Sequence, residues 1–482
     1  MNKARNFLVI MSDEHQSRAM GCAGHPFVQT PNLDRLAARG TRFSKAYTPS
    51  PICVPARASF ATGKYTHQNR MWDNAMPYDG SIPTWGHALQ NEGVAVESIG
   101  KLHYRSTEDS NGFDAEHIPM MVANGVGMVW ALVRDEEHRL TGFKNMLGDY
   151  IGPGTSSYTD YDAAISERAV AWLEQQAAAG DDRPWCLYVG LVAPHFPLVT
   201  PQEFYDLYPH TALPPTKLNP KDSYVQHPWV KKRTAQFDSE ADFQTPDDRL
   251  TAMASYYGLC SWLDHNVGKI LDTLERTGLI ETTTVAYTSD HGENLGARGL
   301  WGKSALYEES VSIPMIIAGP GIPAGVCQTP VNLIDLSSTI ASYFGGGLEG
   351  SPTASLIGLA QSEDDPDRVA FSEFHAAGSV SGAFMIRKGR CKYHHYVGFD
   401  PELFDLEDDP EELTDLAGDP AHSGVIHLMQ QELAKICDPD ATNALAFDDQ
   451  HRMIERFGGR DAVLKIGVPK PGGSSATPPP KA

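Results

Sequence analysis

The sequence predicts an α/β protein with a large mixed, mostly parallel sheet sandwiched by helices and a smaller C-terminal α+β domain. Short apolar runs alternate with longer helical patterns through the first 370 residues, which favours parallel strands covered on both faces. Beyond residue 370 the strand-like runs are closely spaced, as in a small antiparallel sheet. A length of 482 residues also exceeds one ordinary single-core domain. The predicted divisions are 1–370, 371–440 and a C-terminal extension, 441–482.

Apolar runs predict the strands of the large sheet at 6–12, 94–100, 185–192, 284–289 and 313–319. Helical patterns lie between them at 31–40, 81–93, 159–179, 248–277 and 331–345. The runs that predict the antiparallel sheet are 370–376, 382–389 and 391–398. The chain after 440 has few apolar runs and ends in GVPKPGGSSATPPPKA, which cannot pack a core alone. We expect this extension to be disordered or laid across a neighbouring subunit.

Composition excludes several classes of partner. The formal net charge of −22 disfavours a nucleic acid or an anionic membrane surface as a partner. No apolar run approaches membrane-spanning length, and the run at 7–11 is too short for a signal peptide. The seven cysteines are scattered and form no Cys-x-x-Cys pair, which is typical of a reducing compartment. The sequence therefore predicts a cytoplasmic protein.

Charged and imidazole side chains follow the predicted strands at the points where the strands end. The carboxyl ends of parallel strands share one edge of a sheet, so these groups should converge there. Each cluster alone is compatible with an ordinary surface loop, but their joint placement favours a site. The residues are Asp13, Glu14, Lys101, His103, His195, Asp290 and His291, with Lys303 a short way on.

Three carboxylates at one edge would repel one another, and a divalent cation would relieve that repulsion. His291 adds a nitrogen donor, which is softer than a pure calcium site prefers, so calcium and manganese both stay open. Arg57, Lys101 and Lys303 could then bind an anionic substrate.

Cys53 begins a predicted helix in the stretch SPICVPARASF, two residues before Pro55 and four before Arg57. A helix start beside a cation would lower a thiol pKa, which suggests a thiolate nucleophile. A structural cysteine, with Pro55 in the first helical turn, is the plain alternative. A third possibility depends on a family resemblance.

Cys53-Val54-Pro55-Ala56-Arg57 resembles the Cys-x-Pro-x-Arg signature of the sulfatases, in the alkaline phosphatase superfamily. The similarity extends over nearly the whole chain. The strand ending in Asp13, TPNLDRLAARGTRF, GKLH, SDHGENLGARGLWGKSALYEES and FDLEDDPEELTDLA all look like family segments. His291, where typical arylsulfatases carry asparagine, and the GLWGK stretch are more like the choline-sulfatase and phosphonate monoester hydrolase branch. The resemblance implies an alkaline phosphatase-like fold.

The resemblance also implies that Cys53 is oxidised after translation to formylglycine by a formylglycine-generating or equivalent maturation enzyme. The hydrated aldehyde, a gem-diol, is the nucleophile in this family. One divalent metal ion, calcium or manganese, is implied, with ligands from Asp13, Glu14, Cys53, Asp290 and His291.

The remaining roles are carried over in the same way. Arg57 would hold the diol and the charge at the metal, Asn74 in WDNAMPY would bind the transferring group, and Lys101 and Lys303 would bind sulfate oxygens. His195 would bind substrate and protonate the leaving alcohol, with Lys303 as the alternative acid. His103 would take the second diol proton.

The implied activity is hydrolysis of small anionic sulfate esters, which releases inorganic sulfate and an alcohol or phenol. The alternative is a phosphonate monoester hydrolase or phosphodiesterase with the same machinery. A thiolate hydrolase and a catalytically inactive binding protein on this scaffold are further alternatives. We expect a homodimer or homotetramer. The leaving-group pocket is predicted in the 104–160 insert and around 373–381, with Trp130, His138, Tyr150 and His375 as candidates.

Overall fold

A computed structural model describes residues 5–134, 146–180, 183–236 and 238–466. It contains an eight-stranded mixed sheet, a separate four-stranded antiparallel sheet and two pairs of very short strands. The strands are β1 (Asn6–Asp13), β2 (Gly40–Phe43), β3 (Ala46–Tyr47), β4 (Ala95–Lys101), β5 (Ala115–Met120), β6 (Gly152–Pro153), β7 (Trp185–Pro194), β8 (Val199–Thr200), β9 (Thr283–Ser289), β10 (Met315–Ala318), β11 (Gly325–Cys327), β12 (Val331–Asn332), β13 (Ala370–Phe374), β14 (Ala383–Lys388), β15 (Cys391–Tyr396) and β16 (Glu402–Asp405).

The large sheet has the strand order β11-β2-β10-β9-β1-β7-β4-β5. Strand β1 lies near its centre and pairs in parallel with β7 and β9. Alternate residues of β1 enter two different cores, with Phe7 and Val9 in one and Leu8 and Ile10 in the other. A strand buried on both faces reads as a continuous apolar run, which is the pattern in NFLVIMS. The predicted α/β sheet is confirmed.

The helices cover the sheet. They are α1 (Pro31–Ala38), α2 (Cys53–Thr62), α3 (Thr66–Asn69), α4 (Trp85–Asn91), α5 (Ser157–Ala179), α6 (Gln202–Tyr205), α7 (Pro228–Gln236), α8 (Pro246–Thr277), α9 (Glu308–Val311), α10 (Leu333–Tyr343), α11 (Leu356–Ala360), α12 (Ser423–Ile436), α13 (Pro439–Arg456) and α14 (Arg460–Ile466). The longest, α8, begins at a Thr245 cap whose side chain accepts the Asp248 N–H, and it ends at Gly278 in the left-handed conformation.

One strand of the large sheet runs antiparallel to both of its neighbours. Strand β10 corresponds to the predicted run 313–319, but it is antiparallel to both β9 and β2. The end of β9 at Ser289 and the start of β10 at Met315 are joined by residues 290–314. This connection contains short helices and loops and no crossover helix of the length that parallel neighbours need. The sheet is therefore mixed, mostly parallel, as predicted.

The second sheet, of order β13-β14-β15-β16, is antiparallel throughout. Its first three strands match the three predicted runs. The fourth, β16, was not predicted as a strand, because ELFD carries two acids in four residues. Strand β16 begins the segment that resembles the end of the sulfatase C-terminal domain.

The expectation that the chain after 440 lacks packed structure is wrong for its first part. Helices α13 and α14 pack against the Val129–Leu132 turn of the same chain. A few well-spaced apolar residues suffice, since Ala446, Ile454 and Val463 are buried. The final stretch, 467–482, lies outside the described residues. The oligomer contact and the three domain boundaries stay predictions.

Among the described helices, none is both long and apolar enough to cross a membrane.

Candidate active site

The four central strands bring the predicted groups to one edge of the sheet. Strand β1 ends in Asp13, β4 ends in Lys101, β7 leads into His195 and β9 leads into Asp290. These strands are neighbours in the order β9-β1-β7-β4, so their carboxyl ends adjoin. Gly190 in β7 permits the close approach of β4, because a Cβ there would lie 2.2 Å from the Lys101 carbonyl oxygen.

Four buried side chains point their donor atoms at one another in this region. Potential ligand atoms of Asp13, Cys53, Asp290 and His291 all lie within 4.8 Å of one another. The Cys53 sulfur lies 3.1 Å from His291 Nε2 and 3.6 Å from Asp13 Oδ1. His291 Nδ1 lies 3.0 Å from the Gly292 carbonyl oxygen. A hydrogen bond there requires the proton on Nδ1, which leaves the Nε2 lone pair facing the other donors.

Arg57 fixes the two aspartates of this group. Its Nε donates to Asp290 Oδ2 at 2.7 Å and its Nη2 donates to Asp13 Oδ2 at 3.0 Å. Its Nη1 donates to the Lys101 carbonyl oxygen at 3.0 Å and to the Tyr188 hydroxyl at 2.9 Å. Arg57 is buried in helix α2 and uses all three nitrogens, so its main visible role is to orient the carboxylates.

The chain's own cations balance the acids, which corrects one step of the sequence argument. Lys101 Nζ lies 2.7 Å from Asp13 Oδ2, and Lys303 Nζ lies 2.9 Å from Glu14 Oε2. Burial alone would raise the pKa of Asp13, but Lys101, His195 and Arg57 hold that pKa well below its usual value. Repulsion between unpaired acids is therefore no argument for a metal. The argument rests on the converging donor atoms.

Cys53 is the first residue of α2, and it is buried. Burial, and next the neighbouring Asp13 carboxylate, raise the pKa of its thiol to about 12. The expectation that the helix start and Arg57 lower this pKa is therefore wrong, since Arg57 is itself bound to carboxylates. This finding counts against the thiolate hydrolase.

Glu14 lies apart from the group that contains Cys53. It forms a second group with Asp13 and His195, whose donor atoms also lie within 4.8 Å of one another. Its backbone φ is 68°, in the left-handed region, and its Oε2 lies 2.9 Å from Lys303 Nζ. Burial raises the pKa of the Glu14 carboxyl well above its usual value, although Lys303 opposes the shift. Direct metal ligation by Glu14 stays a prediction.

Two buried histidines face the same edge. His195 Nε2 lies 3.5 Å from Glu14 Oε2 and 3.8 Å from Asp13 Oδ1. Burial, and next Lys303, hold the pKa of His195 well below its usual value. Burial and Lys101 do the same to the pKa of His103. Burial and the neighbouring lysines therefore oppose a positive charge on both rings.

The loop that carries Lys303 is joined to the start of helix α2 by a hydrogen bond. The Ser304 N–H donates to the Pro51 carbonyl oxygen at 3.0 Å. Arg233 of α7 donates from Nη2 to the Lys303 carbonyl oxygen at 3.1 Å. Lys303 thereby keeps a fixed relation to Cys53.

Asn74, which was predicted to bind the transferring group, is buried, and its Oδ1 accepts the Val54 N–H at 3.1 Å, next to Cys53. The candidates for the leaving-group pocket lie in different surroundings. Trp130 and His375 are buried, and the His375 ring packs on Trp72. Tyr150 is 56% exposed and donates to the Pro153 carbonyl oxygen. His138 lies outside the described residues.

Sequence reasoning missed three residues that support the site. Tyr188 lies within an apolar strand run, a pattern that predicts only a core residue, yet its hydroxyl accepts a hydrogen bond from Arg57. Asp162 of α5 accepts the N–H groups of Val192 and Ala193 at 2.7 and 2.8 Å, which shapes the chain before His195. The role of Arg233 could not be predicted from the sequence, because a single arginine in a polar helix is normally exposed to solvent.

Comparison with known proteins finds a family model described as Sulfatase over residues 5–346. A second model, described as N-sulphoglucosamine sulphohydrolase, C-terminal, matches residues 296–438. Choline-sulfatase of Rhizobium meliloti (strain 1021) is 35% identical over 429 residues, which cover 86% of this chain and 83% of that protein. Arylsulfatase K of Rattus norvegicus is 30% identical over 449 residues, covering 86% and 75%.

A similar solved structure is the phosphonate monoester hydrolase of Agrobacterium radiobacter. It aligns with a TM-score of 0.73 at 22% identity, covering 90% of this chain and 95% of that one. At this identity the likeness concerns the fold.

Proposed function

The chain belongs to the sulfatase family, and from this premise we propose that it hydrolyses sulfate esters with a nucleophile made from Cys53. Oxidation of Cys53 to formylglycine would supply a hydrated aldehyde as the attacking group. The products would be inorganic sulfate and an alcohol or phenol. The observation that carries the proposal is the position of the Cys53 sulfur, 3.1 Å from His291 Nε2 inside a cluster of buried ligand atoms.

One divalent metal ion, calcium or manganese, fits the donor set of Asp13, Asp290, His291 and the residue-53 side chain. The fit is supported by the convergence of their donor atoms and by the His291 tautomer, which directs a lone pair inward. A metal ion at this site would supply Lewis-acid polarisation of a sulfate oxygen and would lower the pKa of a bound hydroxyl.

The protein's cations would bind and orient the sulfate group. The ammonium group of Lys101 pairs with Asp13, and that of Lys303 pairs with Glu14. Burial opposes the charge on Lys101, but Asp13 outweighs burial and raises the pKa of Lys101, so the group stays charged. The Asn74 amide would add a hydrogen bond, because its oxygen is engaged by Val54 while its nitrogen remains a donor.

Proton transfer would use the groups that border the sulfate. His195 Nδ1 faces the Phe196 carbonyl oxygen and so carries the ring proton there, and the ring would need a second proton at Nε2 before it could protonate the leaving alcohol. Its lowered pKa makes Lys303 the alternative acid. His103, which is buried beside Lys101, would accept a proton from the residue-53 diol to release sulfate.

A phosphonate monoester or phosphodiester substrate is the second candidate. Such a substrate also presents a singly charged tetrahedral centre, and the same cations and ligands would serve it. The likeness of the fold to that of the phosphonate monoester hydrolase of Agrobacterium radiobacter supports this candidate alongside the sulfate ester. We further propose that the protein works in the cytoplasm as a dimer or tetramer after modification by a formylglycine-generating enzyme.

The first experiment is mass spectrometry of tryptic peptide 46–57, which spans Cys53, combined with an assay of sulfate release. We expect formylglycine at residue 53 in active protein. Protein that is active with an unmodified thiol would overturn the proposed mechanism and restore the thiolate hydrolase. If the protein is inactive and its thiol is unmodified, the chain is expressed again together with a formylglycine-generating enzyme. Protein that carries formylglycine but shows no hydrolase activity would overturn the proposed function. Parallel kinetics on 4-nitrophenyl sulfate and 4-nitrophenyl phenylphosphonate separate the two substrates.

A further inference from the structure

Asp162 is a buried carboxylate that binds the main chain just ahead of His195. It lies in helix α5 and is 1% exposed. Its Oδ1 accepts the Val192 N–H at 2.7 Å, and its Oδ2 accepts the Ala193 N–H at 2.8 Å. Both oxygens are therefore bound to two consecutive peptide groups near the end of strand β7.

Simple packing does not require an acid at this position. Burial raises the pKa of Asp162 to about 7, although the N–H groups of Val192 and Ala193 oppose the shift. A neutral side chain would fill the same space without the cost of burying a charged group. A carboxylate, however, can accept from two adjacent N–H groups at once, whereas an amide has one acceptor oxygen. The acid is therefore suited to hold two neighbouring peptide groups in one geometry.

The turn that Asp162 binds carries His195 directly. The His195 N–H donates to the Val192 carbonyl oxygen at 3.0 Å, which closes the turn. Val192 is thus held by Asp162 through its N–H and holds His195 through its carbonyl oxygen. The ring that follows lies with Nε2 3.5 Å from Glu14 Oε2 and 3.8 Å from Asp13 Oδ1. Two successive hydrogen bonds therefore connect Asp162 with the main chain of the imidazole that borders the site.

Helix α5 gives this contact a fixed base. Ile165 and Ala169, on the turns after Asp162, are buried in the core that also contains residues of strand β7. Tyr158 lies one turn before Asp162 and on the same face of the helix. Its ring packs edge-on against the His195 ring, with the ring centroids 6.1 Å apart. The helix therefore contacts both the main chain and the ring of this histidine.

We propose that Asp162 is a positioning residue that aims the His195 imidazole at the leaving oxygen. This inference rests on the proposed function, in which His195 protonates the leaving alcohol. A well-placed acid accelerates the reaction most when the leaving group is poor, and least when the leaving group departs as a stable anion. Asp162 therefore determines how well the enzyme cleaves esters of weakly acidic alcohols and phenols.

Asp162→Asn tests the proposal, because it keeps the shape of the side chain but leaves one acceptor for two N–H groups. Asp160→Asn, at an exposed position of the same helix, is the matched control. In Asp162→Asn we expect kcat/KM for phenyl sulfate to fall roughly five- to tenfold, because a small displacement of the acid suffices for such a loss. The value for 4-nitrophenyl sulfate should fall less than about twofold. Equal losses on the two esters, or no loss on either, would overturn the proposal.

A double-mutant cycle shows whether Asp162 acts through His195. In a His195→Ala background the acid is absent, so Asp162→Asn should lower kcat/KM for phenyl sulfate by less than about twofold. A loss in that background as large as the loss in the wild type would mean that Asp162 only supports the fold. That result would overturn the positioning role.

Amide hydrogen exchange gives a readout that does not need turnover. In Asp162→Asn, peptide 187–196 should exchange faster than in the wild type, while peptide 6–12 of β1 keeps its protection. Unchanged exchange in 187–196 would overturn the positioning role. If Asp162→Asn fails to fold, Asp162→Ser takes its place with the same expectations, since a hydroxyl can accept one N–H. Wild-type protein that hydrolyses neither ester would instead overturn the proposed function, and the exchange data would still decide whether Asp162 holds the turn.

Discussion

Two clusters of buried charge in this molecule use the same kinds of side chain for different purposes. In the candidate active site, Arg57 and Lys101 pair with Asp13 and Asp290. In the interface between the large sheet and the C-terminal sheet, Lys392 pairs with Glu308 at 3.0 Å and with Glu412 at 2.8 Å. We name this second group, which also contains Arg298 and Glu309, the interface cluster.

The difference lies in what accompanies the ion pairs. The active site adds a cysteine and a histidine, and four donor atoms converge on one point. In the interface cluster, cations alternate with carboxylates, and Arg298 is further bound by the Glu411 and Glu412 carbonyl oxygens. Buried charge alone therefore does not identify a reactive site. Convergence of chemically different donor atoms does identify one. Substitutions in the active site should therefore lower activity, and substitutions in the interface cluster should lower stability.

The largest effect should come from Cys53→Ala. We expect turnover of 4-nitrophenyl sulfate to fall by at least about 10⁴-fold, because the nucleophile is removed and other groups sustain only residual catalysis. The urea midpoint should stay close to that of the wild type. Steady-state kinetics and urea denaturation check both points, and substantial residual turnover would refute the nucleophile assignment.

Asp290→Asn should remove bound metal and activity together. An amide is a weaker ligand than a carboxylate, and it also cannot pair with Arg57. We expect metal content, measured by inductively coupled plasma mass spectrometry, to fall in step with a roughly 10³-fold loss of kcat. Glu308→Gln in the interface cluster is the control and should keep its metal. Normal metal content in Asp290→Asn would contradict the ligand role.

Lys392→Met should break the interface cluster and spare the chemistry. Removing the ammonium leaves Glu308 and Glu412 buried without their partner, which costs about 3–5 kcal/mol of unfolding free energy. The kcat of the folded fraction should stay within a few-fold of the wild type. Urea denaturation with activity measured per folded molecule tests this. A variant that is as stable as the wild type but inactive would show that the interface cluster contributes to catalysis and not to stability.

His195→Ala should sharpen the assignment of the proton donor. The loss should reach about 10²-fold for alkyl sulfates, whose leaving groups need a proton, and should be much smaller for 4-nitrophenyl sulfate. Kinetics on a series of leaving groups gives the comparison. Lys303→Ala run beside it tests the alternative acid, and equal losses on all leaving groups in His195→Ala would count against general-acid catalysis.

The smallest effect concerns the pH dependence of stability. Burial alone would raise the pKa of Glu309, but Arg298 and Lys217 outweigh it and hold that pKa at about 2. A carboxylate whose pKa is lowered by folding stabilises the folded state at pH values above its unfolded pKa, which is near 4.5. This stabilisation is lost as the pH falls towards 2. At pH 7 the free energy of unfolding of the wild type should exceed that of Glu309→Gln by up to about 3 kcal/mol. This difference in the free energy of unfolding, measured by urea titration, should narrow below pH 4.5. A difference that does not change with pH would contradict the ion-pair role.

The sequence predicts the edge of the sheet at which these groups meet, because polar residues directly follow runs such as NFLVIMS. It also predicts the antiparallel second sheet, from three closely spaced runs. It cannot reveal that Lys101 and Lys303 are paired with Asp13 and Glu14, because side-chain pairing across separate loops leaves no pattern in the chain. Nor could it reveal the reversal of β10 or the packing of α13, where a few apolar and amide positions suffice.

The burial of Cys53 has a consequence for the order of events during synthesis. A modifying enzyme cannot reach this sulfur once helix α2 is packed, because all ten residues of the helix are buried. Its partner His291 lies 238 residues later in the chain. At roughly 5–20 residues per second, the ribosome needs about 10–50 seconds to reach that histidine. The conversion of Cys53 that we propose would therefore have to precede the packing of helix α2.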